Sequence, residues 1–163
     1  MGDKPARIFN ALQKIRSIAN YQFGKGAGRK LFPKEVIIVY SKRTGRIRHI
    51  YLEQKMLATL RPTDGLFSLT ITGAKRIMEH AKPRRLWVNI NKEATAFVVK
   101  GRSVFAKHVT DADEEIRPRE EVAVINEKGA VLAVGRAMLS GREMKAYRRG
   151  VAVRVRRGAA EES

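Results

Sequence analysis

Apolar positions along residues 7–23 recur at spacings of four, three and four: Ile8, Leu12, Ile15 and Ala19 fall on one stripe, while Lys14 and Arg16 fall off it. That period predicts an amphipathic helix, ended by Gly24. The stretch Gly24-Lys25-Gly26-Ala27-Gly28-Arg29-Lys30 reads next as a flexible basic loop. A β-branched run over 35–40 predicts a strand, and Ser41-Lys42-Arg43-Thr44-Gly45 turns the chain into a second over 46–52. Together they make a hairpin with a basic tip. A further strand is expected at 56–60, broken by Thr63-Asp64-Gly65, then extended chain over 66–71 and a helix over 73–80.

The pattern changes after the basic linker Lys82-Pro83-Arg84-Arg85. A strand is expected at 86–90. Asn91 then caps a short helix carrying Ala94, Phe97 and Val98 on one side. Short strands follow at 103–109, 121–125, 131–139 and 151–156, with a turn at Asn126-Glu127-Lys128-Gly129. Ser140-Gly141-Arg142-Glu143 has capping-box spacing and predicts one helical turn before the last strand. The expected fold class is α+β. It comprises a small α/β amino-terminal domain with an antiparallel sheet (residues 1–82), then a compact mixed β-barrel with short helices (residues 83–163).

Composition narrows the chemistry. In 163 residues, 34 Lys plus Arg face 16 Asp plus Glu, a formal charge of +18. Self-repulsion on that scale is offset by a polyanion partner, nucleic acid first and an anionic membrane second. The first domain carries +12 and the second +6. Arg outnumbers Lys 20 to 14, and guanidinium forks match phosphate bidentately and stack on bases. Heat adaptation would also enrich charged residues, but it does not explain the imbalance of sign. No cysteine is present, which excludes disulfides, thiolate zinc sites, iron–sulfur clusters and thiol nucleophiles. No apolar run approaches the roughly 20 residues needed to span a bilayer, and residues 1–8 show no signal core. A soluble, cytoplasmic protein without a membrane partner is expected.

Enzyme signatures fail one by one. The glycine-rich stretch follows a helix, and Arg29-Lys30-Leu31 lacks the hydroxyl that a nucleotide-phosphate loop needs. It reads either as a mobile linker or as a backbone-plus-cation cradle for a nucleic-acid phosphate. Asp111, Asp113, Glu114 and Glu115 have oxygen ligands for magnesium, but the preferred reading is a solvated acidic loop. His49, His80 and His108 are scattered, with no carboxylate placed for a triad, and Ser103 lacks a nucleophile elbow. No catalytic residue, metal site or cofactor is expected.

The basic features are better supplied. Alternation in the last strand sets Val151, Val153 and Val155 on one face and Arg154 and Arg156 on the other. In the segment 100–108, Lys100, Arg102, Lys107 and His108 surround Val104-Phe105, and Gly101 permits close backbone approach. Aromatics are only 7% of the chain, which favours phosphate and shape recognition of a folded RNA over reading a long single strand.

The second half resembles a PUA domain. The motifs that carry the likeness are Asn91-Lys92-Glu93-Ala94, Lys100-Gly101-Arg102-Ser103-Val104-Phe105-Ala106-Lys107, Asp113-Glu114-Glu115-Ile116-Arg117-Pro118, Glu121-Val122-Ala123-Val124, Ala133-Val134-Gly135-Arg136-Ala137 and Arg149-Gly150-Val151-Ala152-Val153. In the first half, Tyr21-Gln22-Phe23-Gly24, Tyr40-Ser41-Lys42-Arg43-Thr44-Gly45-Arg46-Ile47-Arg48 and Leu60-Arg61-Pro62-Thr63-Asp64-Gly65 resemble the domain preceding PUA in archaeosine tRNA-guanine transglycosylases. The resemblance implies a non-catalytic RNA-binding protein linked to tRNA modification, with tRNA as its RNA. The alternative it implies is a partner subunit of a split transglycosylase, docking to a separate catalytic chain. That family's catalytic barrel and zinc site have no counterpart here. Carried onto this chain, the family's RNA grip points at Lys100, Gly101, Arg102, Ser103, Lys107, Arg154 and Arg156. The basic residues of the first half, Lys25, Arg29, Lys30, Lys42, Arg43, Arg46 and Arg48, complete the expected RNA-binding set.

Overall fold

The computed structural model describes residues 5–79 and 83–161, and side chains from residue 10 onward. His80, Lys82 and the side chain of Ile8 lie outside the described residues. By its contacts the chain divides into two compact units, Met1–Ser68 and Leu69–Ser163.

In the first unit, helix α1 (Pro5–Phe23) buries Ala11, Ile15, Ala19 and Phe23. The expected flexible loop is a correction: Ala27–Leu31 forms a short helix, α2, with Ala27, Gly28 and Leu31 buried. The cause is tertiary. A side chain at residue 28 would collide with the Arg16 carbonyl of α1, and the Gly28 N–H donates to Asn20 Oδ1 at 2.7 Å. Glycine is there for close packing, not mobility.

Strands β1 (Ile37–Tyr40), β2 (Ile47–Leu52), β3 (Lys55–Leu60) and β4 (Phe67–Leu69) form a sheet in that order. The expected hairpin is present, with Ser41 N–H donating to Arg46 O (2.7 Å) and Gly45 at φ 72°. Gln22 of α1 clamps β4 with both ends of its amide: Nε2 donates to Phe67 O (2.9 Å) and Phe67 N–H donates to Oε1 (2.8 Å). Phe32 and Phe67 meet at 5.0 Å between ring centroids in the core. The Arg61-to-Gly65 motif is a self-satisfied turn. Buried Arg61 bonds both Asp64 carboxylate oxygens (3.1 and 2.9 Å), and Asp64 Oδ1 also accepts the Leu66 N–H.

The second unit opens with helix α3 (Ile71–Met78), capped by the Thr70 side chain and packed against the barrel strands β8 (Glu121–Ile125) and β9 (Val131–Ala137). Its other strands are β5 (Trp87–Ile90), β6 (Val104–Phe105), β7 (Val109–Ala112) and β10 (Val151–Gly158). The order β6-β10-β9-β8-β5-β7 is antiparallel except for the parallel β5–β8 pair. The result is the nearly closed mixed barrel the strand pattern implied. Helix α4 (Lys92–Val98) carries the expected Asn91 cap, and α5 (Gly141–Ala146) the full Ser140–Glu143 capping box.

Two details differ from expectation. The strand expected over 103–109 is broken by a 3-10 turn, Ala106–His108, so its halves pair with opposite edges of the sheet. Bonds from Ala106 N–H to Gly150 O and from Asn91 N–H to His108 O fix that break. On α4, Ala94 and Val98 are buried but Phe97 is 60% exposed. Among the described residues no helix is long and apolar enough to cross a membrane.

Candidate nucleic-acid interface

Helix α4 ends in a tight loop that presents Lys100, Gly101, Arg102 and Ser103. Gly101 adopts φ +97°, a conformation that disfavours a side chain, and its N–H returns to Val98 O at 3.0 Å. Lys100 and Arg102 are exposed, Ser103 is half-buried, and Lys107 is exposed on the 3-10 turn. Over Gly101 sits a carboxylate that the sequence pattern did not anticipate. Glu161, from the closing 3-10 turn Ala159–Glu161, fills the space a Cβ at residue 101 would need, with Oε1 2.5 Å from that position. Glu161 Oε1 also accepts the Gly158 N–H at 2.7 Å.

Strand β10 separates the two arginines expected to act together. Arg154 is exposed and stands directly opposite Arg136 of β9, also exposed. Among the described residues neither has a carboxylate within ion-pairing distance. Like charges directly opposite on a sheet repel. The sequence pattern missed Arg136, although Gly135-Arg136 lies inside one of the motifs that carry the resemblance. Gly135 lets the strands close here, because a Cβ would strike the Arg154 carbonyl.

Arg156 is a correction as a free phosphate ligand. Its guanidinium donates to both oxygens of Glu121 (2.9 and 2.5 Å) and to the Leu69 carbonyl (2.7 Å). The Glu121 side chain is fully buried, and its carboxylate also accepts the Leu69 N–H at 2.7 Å. Burial opposes the charge on Arg156, but the bonded Glu121 carboxylate outweighs it, so the pKa of this arginine is raised.

In the first unit, the hairpin tip brings Arg43, Arg46 and Arg48 around one cavity of about 290 Å³, closed by Ser41, Leu60 and Pro62. None of the three arginines pairs with a carboxylate among the described residues. Lys42 is exposed beside the cavity lining rather than in it. Lys25, Arg29 and Lys30 project from the α2 region, but the backbone there is not a cradle. The N–H groups of Ala27, Gly28 and Lys30 are bonded to Gly24 O, Asn20 Oδ1 and Gly26 O.

The acidic segment has structural partners. Lys145 of α5 bonds Glu114 (3.1 Å) and Asp111 (3.3 Å), which raises its pKa, and Asp113 accepts the N–H groups of Leu86 and Glu115. Among the described residues no cluster of three His, Asp or Glu side chains is placed to hold a metal ion.

Comparison with known proteins matches two family models along the chain. Residues 13–84 match the family model for the patch-forming domain C2 of tRNA-guanine transglycosylase, and residues 87–159 match the PUA domain. This is a PUA-domain chain resembling the carboxy-terminal part of archaeal tRNA-guanine transglycosylases. The tRNA-guanine(15) transglycosylase of Pyrococcus furiosus is 47% identical over 159 residues, covering 98% of this chain and 26% of the relative. That of Thermoplasma acidophilum is 45% identical over 153 residues, covering 93% and 24%. The chain thus spans about a quarter of the length of these relatives. Among solved structures, a hypothetical protein of Pyrococcus horikoshii OT3 superposes with a TM-score of 0.70 at 26% identity, covering 94% of this chain and 92% of that one. A conserved PUA domain protein from Thermoplasma acidophilum gives 0.66 at 19% identity, covering 95% and 92%, a likeness of fold.

Proposed function

We propose that this PUA-domain chain is a non-catalytic binder of structured RNA, with tRNA as the ligand its relatives indicate. The observation that carries the reading is the Arg136–Arg154 pair, two exposed guanidiniums held opposite each other with no carboxylate in ion-pairing range among the described residues; Glu121, the partner of Arg136 on β8, is buried and bonded to Arg156 instead. A phosphate between them relieves the repulsion and gains charge-assisted hydrogen bonds. Lys100, Arg102 and Lys107 extend the cationic surface of the barrel. The Arg43–Arg46–Arg48 cavity supplies a second set of phosphate-matched forks in the first unit. Affinity then comes largely from counterion release, so log K falls with log salt by about 0.7 to 0.9 per phosphate contact. Filter binding of a tRNA transcript across a salt series tests this. A flat salt response, or equal affinity for heparin and poly-uridine, argues against it.

A second reading is supported by a separate observation. Ile37 and Val39, 62% and 39% exposed, share one face of edge strand β1 with their cross-strand partners Tyr51 and His49. An exposed apolar sheet face suits a protein partner, here a separate catalytic transglycosylase chain. Co-purification with such a chain, abolished by the double change Ile37→Ser and Val39→Ser, is the expected result. Unchanged co-purification removes this face from the contact.

A further inference from the structure

A cavity of about 610 Å³ opens between the start of α4, strand β7 and the turn that joins β8 to β9. Neither the Arg136–Arg154 pair nor the loop after α4 lines it. The volume suits a small organic molecule, since such sites run from about 300 to 1,000 Å³. Two carboxamides line it, those of Asn91 and Asn126. Asn91 Oδ1 accepts the Ala94 N–H at 3.1 Å, and Asn126 Oδ1 accepts the Lys128 and Ala130 N–H groups, each at 3.0 Å. Those bonds fix the orientation of both amides and leave their NH2 groups as donors without a partner among the described residues. Thr95 and Thr110, also in the lining, give their hydroxyl hydrogens to the Asn91 and Asn89 carbonyls (3.3 and 3.2 Å), so their oxygens remain as acceptors. Lys92 and Glu127 join α4 to the turn by an exposed ion pair at 3.6 Å. Lys128 has no carboxylate in range among the described residues, so two lysines stand against one glutamate and the lining is net positive.

We propose that this cavity binds a small hydroxylated organic anion of the sugar-phosphate class, as a free molecule. The two NH2 groups and the Lys128 ammonium supply donors to anionic oxygens. The threonine oxygens and the Glu127 carboxylate supply acceptors for hydroxyls. A lining of donors alone would suit a bare anion; this one asks for hydroxyls as well. Glu127, 64% exposed, repels an extended polyanion at the same place. The plain alternative is that Asn91 and Asn126 serve only as helix cap and turn residue, with water between them. No solute would then saturate the cavity. The proposal does not rest on the RNA reading, and either can fail without the other.

Asn91→Asp and Asn126→Asp test it, because each keeps the oxygen that bonds the backbone and replaces the NH2 donor with a negative oxygen. Aspartate caps a helix as well as asparagine does, so the fold should hold, and an unchanged melting temperature checks that. Asn20→Asp is the control: it makes the same change on the first unit, where Asn20 Oδ1 accepts the Gly28 N–H. The probe is ribose-5-phosphate, titrated into the full chain while the side-chain amide resonances of Asn91 and Asn126 are followed by NMR. Saturable shifts are expected. Inorganic phosphate and ribose, added separately, should each bind at least about tenfold more weakly, since each meets only part of the lining. Each of the two cavity variants should weaken ribose-5-phosphate binding about tenfold or more, against less than about twofold for Asn20→Asp. Thr95→Val, which removes an acceptor without changing charge, should weaken the sugar phosphate and leave inorganic phosphate unaffected. Absence of saturable shifts, or equal affinity in the cavity variants and the control, overturns the proposal. So does phosphate binding as tightly as the sugar phosphate, which would mark a bare anion site. Shifts produced by a tRNA transcript but not by ribose-5-phosphate overturn it too, and give the cavity to the RNA surface.

Discussion

The two halves of strand β10 put the same side chain to opposite uses. At Arg156 the guanidinium meets a carboxylate with no exposure of its own, and both of its terminal nitrogens are bonded inside the protein, to Glu121 and to the Leu69 carbonyl. Two residues earlier, Arg154 faces another arginine and, among the described residues, no carboxylate within ion-pairing distance. A buried carboxylate cannot be left alone in a low-dielectric interior, so Arg156 is committed to folding. An exposed pair of like charges gives folding nothing, so Arg154 and Arg136 are available to a ligand. Counting basic residues along a strand does not separate these roles; the partner does.

The sharpest way to break the comparison is Arg156→Ala. It strands the Glu121 carboxylate in the interior, and destabilisation of about 3 to 5 kcal/mol is expected, read as a fall in the urea midpoint. The reverse change, Glu121→Ala, should cost less. Arg156 is 41% exposed and can turn towards water. If both changes are neutral, the pair is not structural and Arg156 returns to the binding set.

Gly135→Ala comes next. A methyl group would press on the Arg154 carbonyl, and over-packing of this kind costs about 1 to 3 kcal/mol. It also shifts Arg154 relative to Arg136, so RNA affinity should fall together with stability. A loss of stability with unchanged affinity would show that the spacing of the two arginines does not matter.

The double change Arg136→Ala and Arg154→Ala should do the opposite of Arg156→Ala. Stability is expected to stay within about 0.5 kcal/mol, while tRNA binding weakens about tenfold or more and the salt slope drops by up to about two contacts. An unchanged slope removes both residues from the interface.

Local signals made much of the fold legible. The Asn91 cap, the Ser140–Glu143 box, the Ser41–Gly45 turn and the short β-branched strands each announce themselves within five residues. What stayed hidden depends on distant partners. Helix α2 exists because Gly28 packs on the Arg16 carbonyl. The strand after Ser103 breaks because Ala106 bonds to Gly150. Arg156 meets Glu121 35 residues away, and a register shift between Val155 and Arg157 spoils simple alternation there. Arg136 becomes a candidate only once β9 and β10 are in register.

The smallest effect concerns a group that both regions leave aside, the capping box of α5. Glu143 accepts the Ser140 N–H (2.9 Å) and the Tyr147 hydroxyl (2.9 Å). Its pKa is lowered from the ordinary 4.5, first by the Ser140 backbone bond and then by the Tyr147 hydroxyl. A carboxylate whose folded pKa is depressed stabilises the fold above its unfolded pKa, and that contribution fades as the pH falls through the folded value. The same bond raises the Tyr147 pKa above 10.0, so its contribution is intact below that value and fades as the pH rises through the folded one. Glu143→Gln should therefore lower the melting temperature at neutral pH, and the difference from the unaltered protein should close in acid. Ser140→Ala, which removes the hydroxyl that accepts the Glu143 N–H, should cost about 1 kcal/mol. That loss should persist at low pH, because a hydroxyl does not titrate there. If the Glu143→Gln deficit is the same at pH 3 as at pH 7, the carboxylate charge is not what holds this turn.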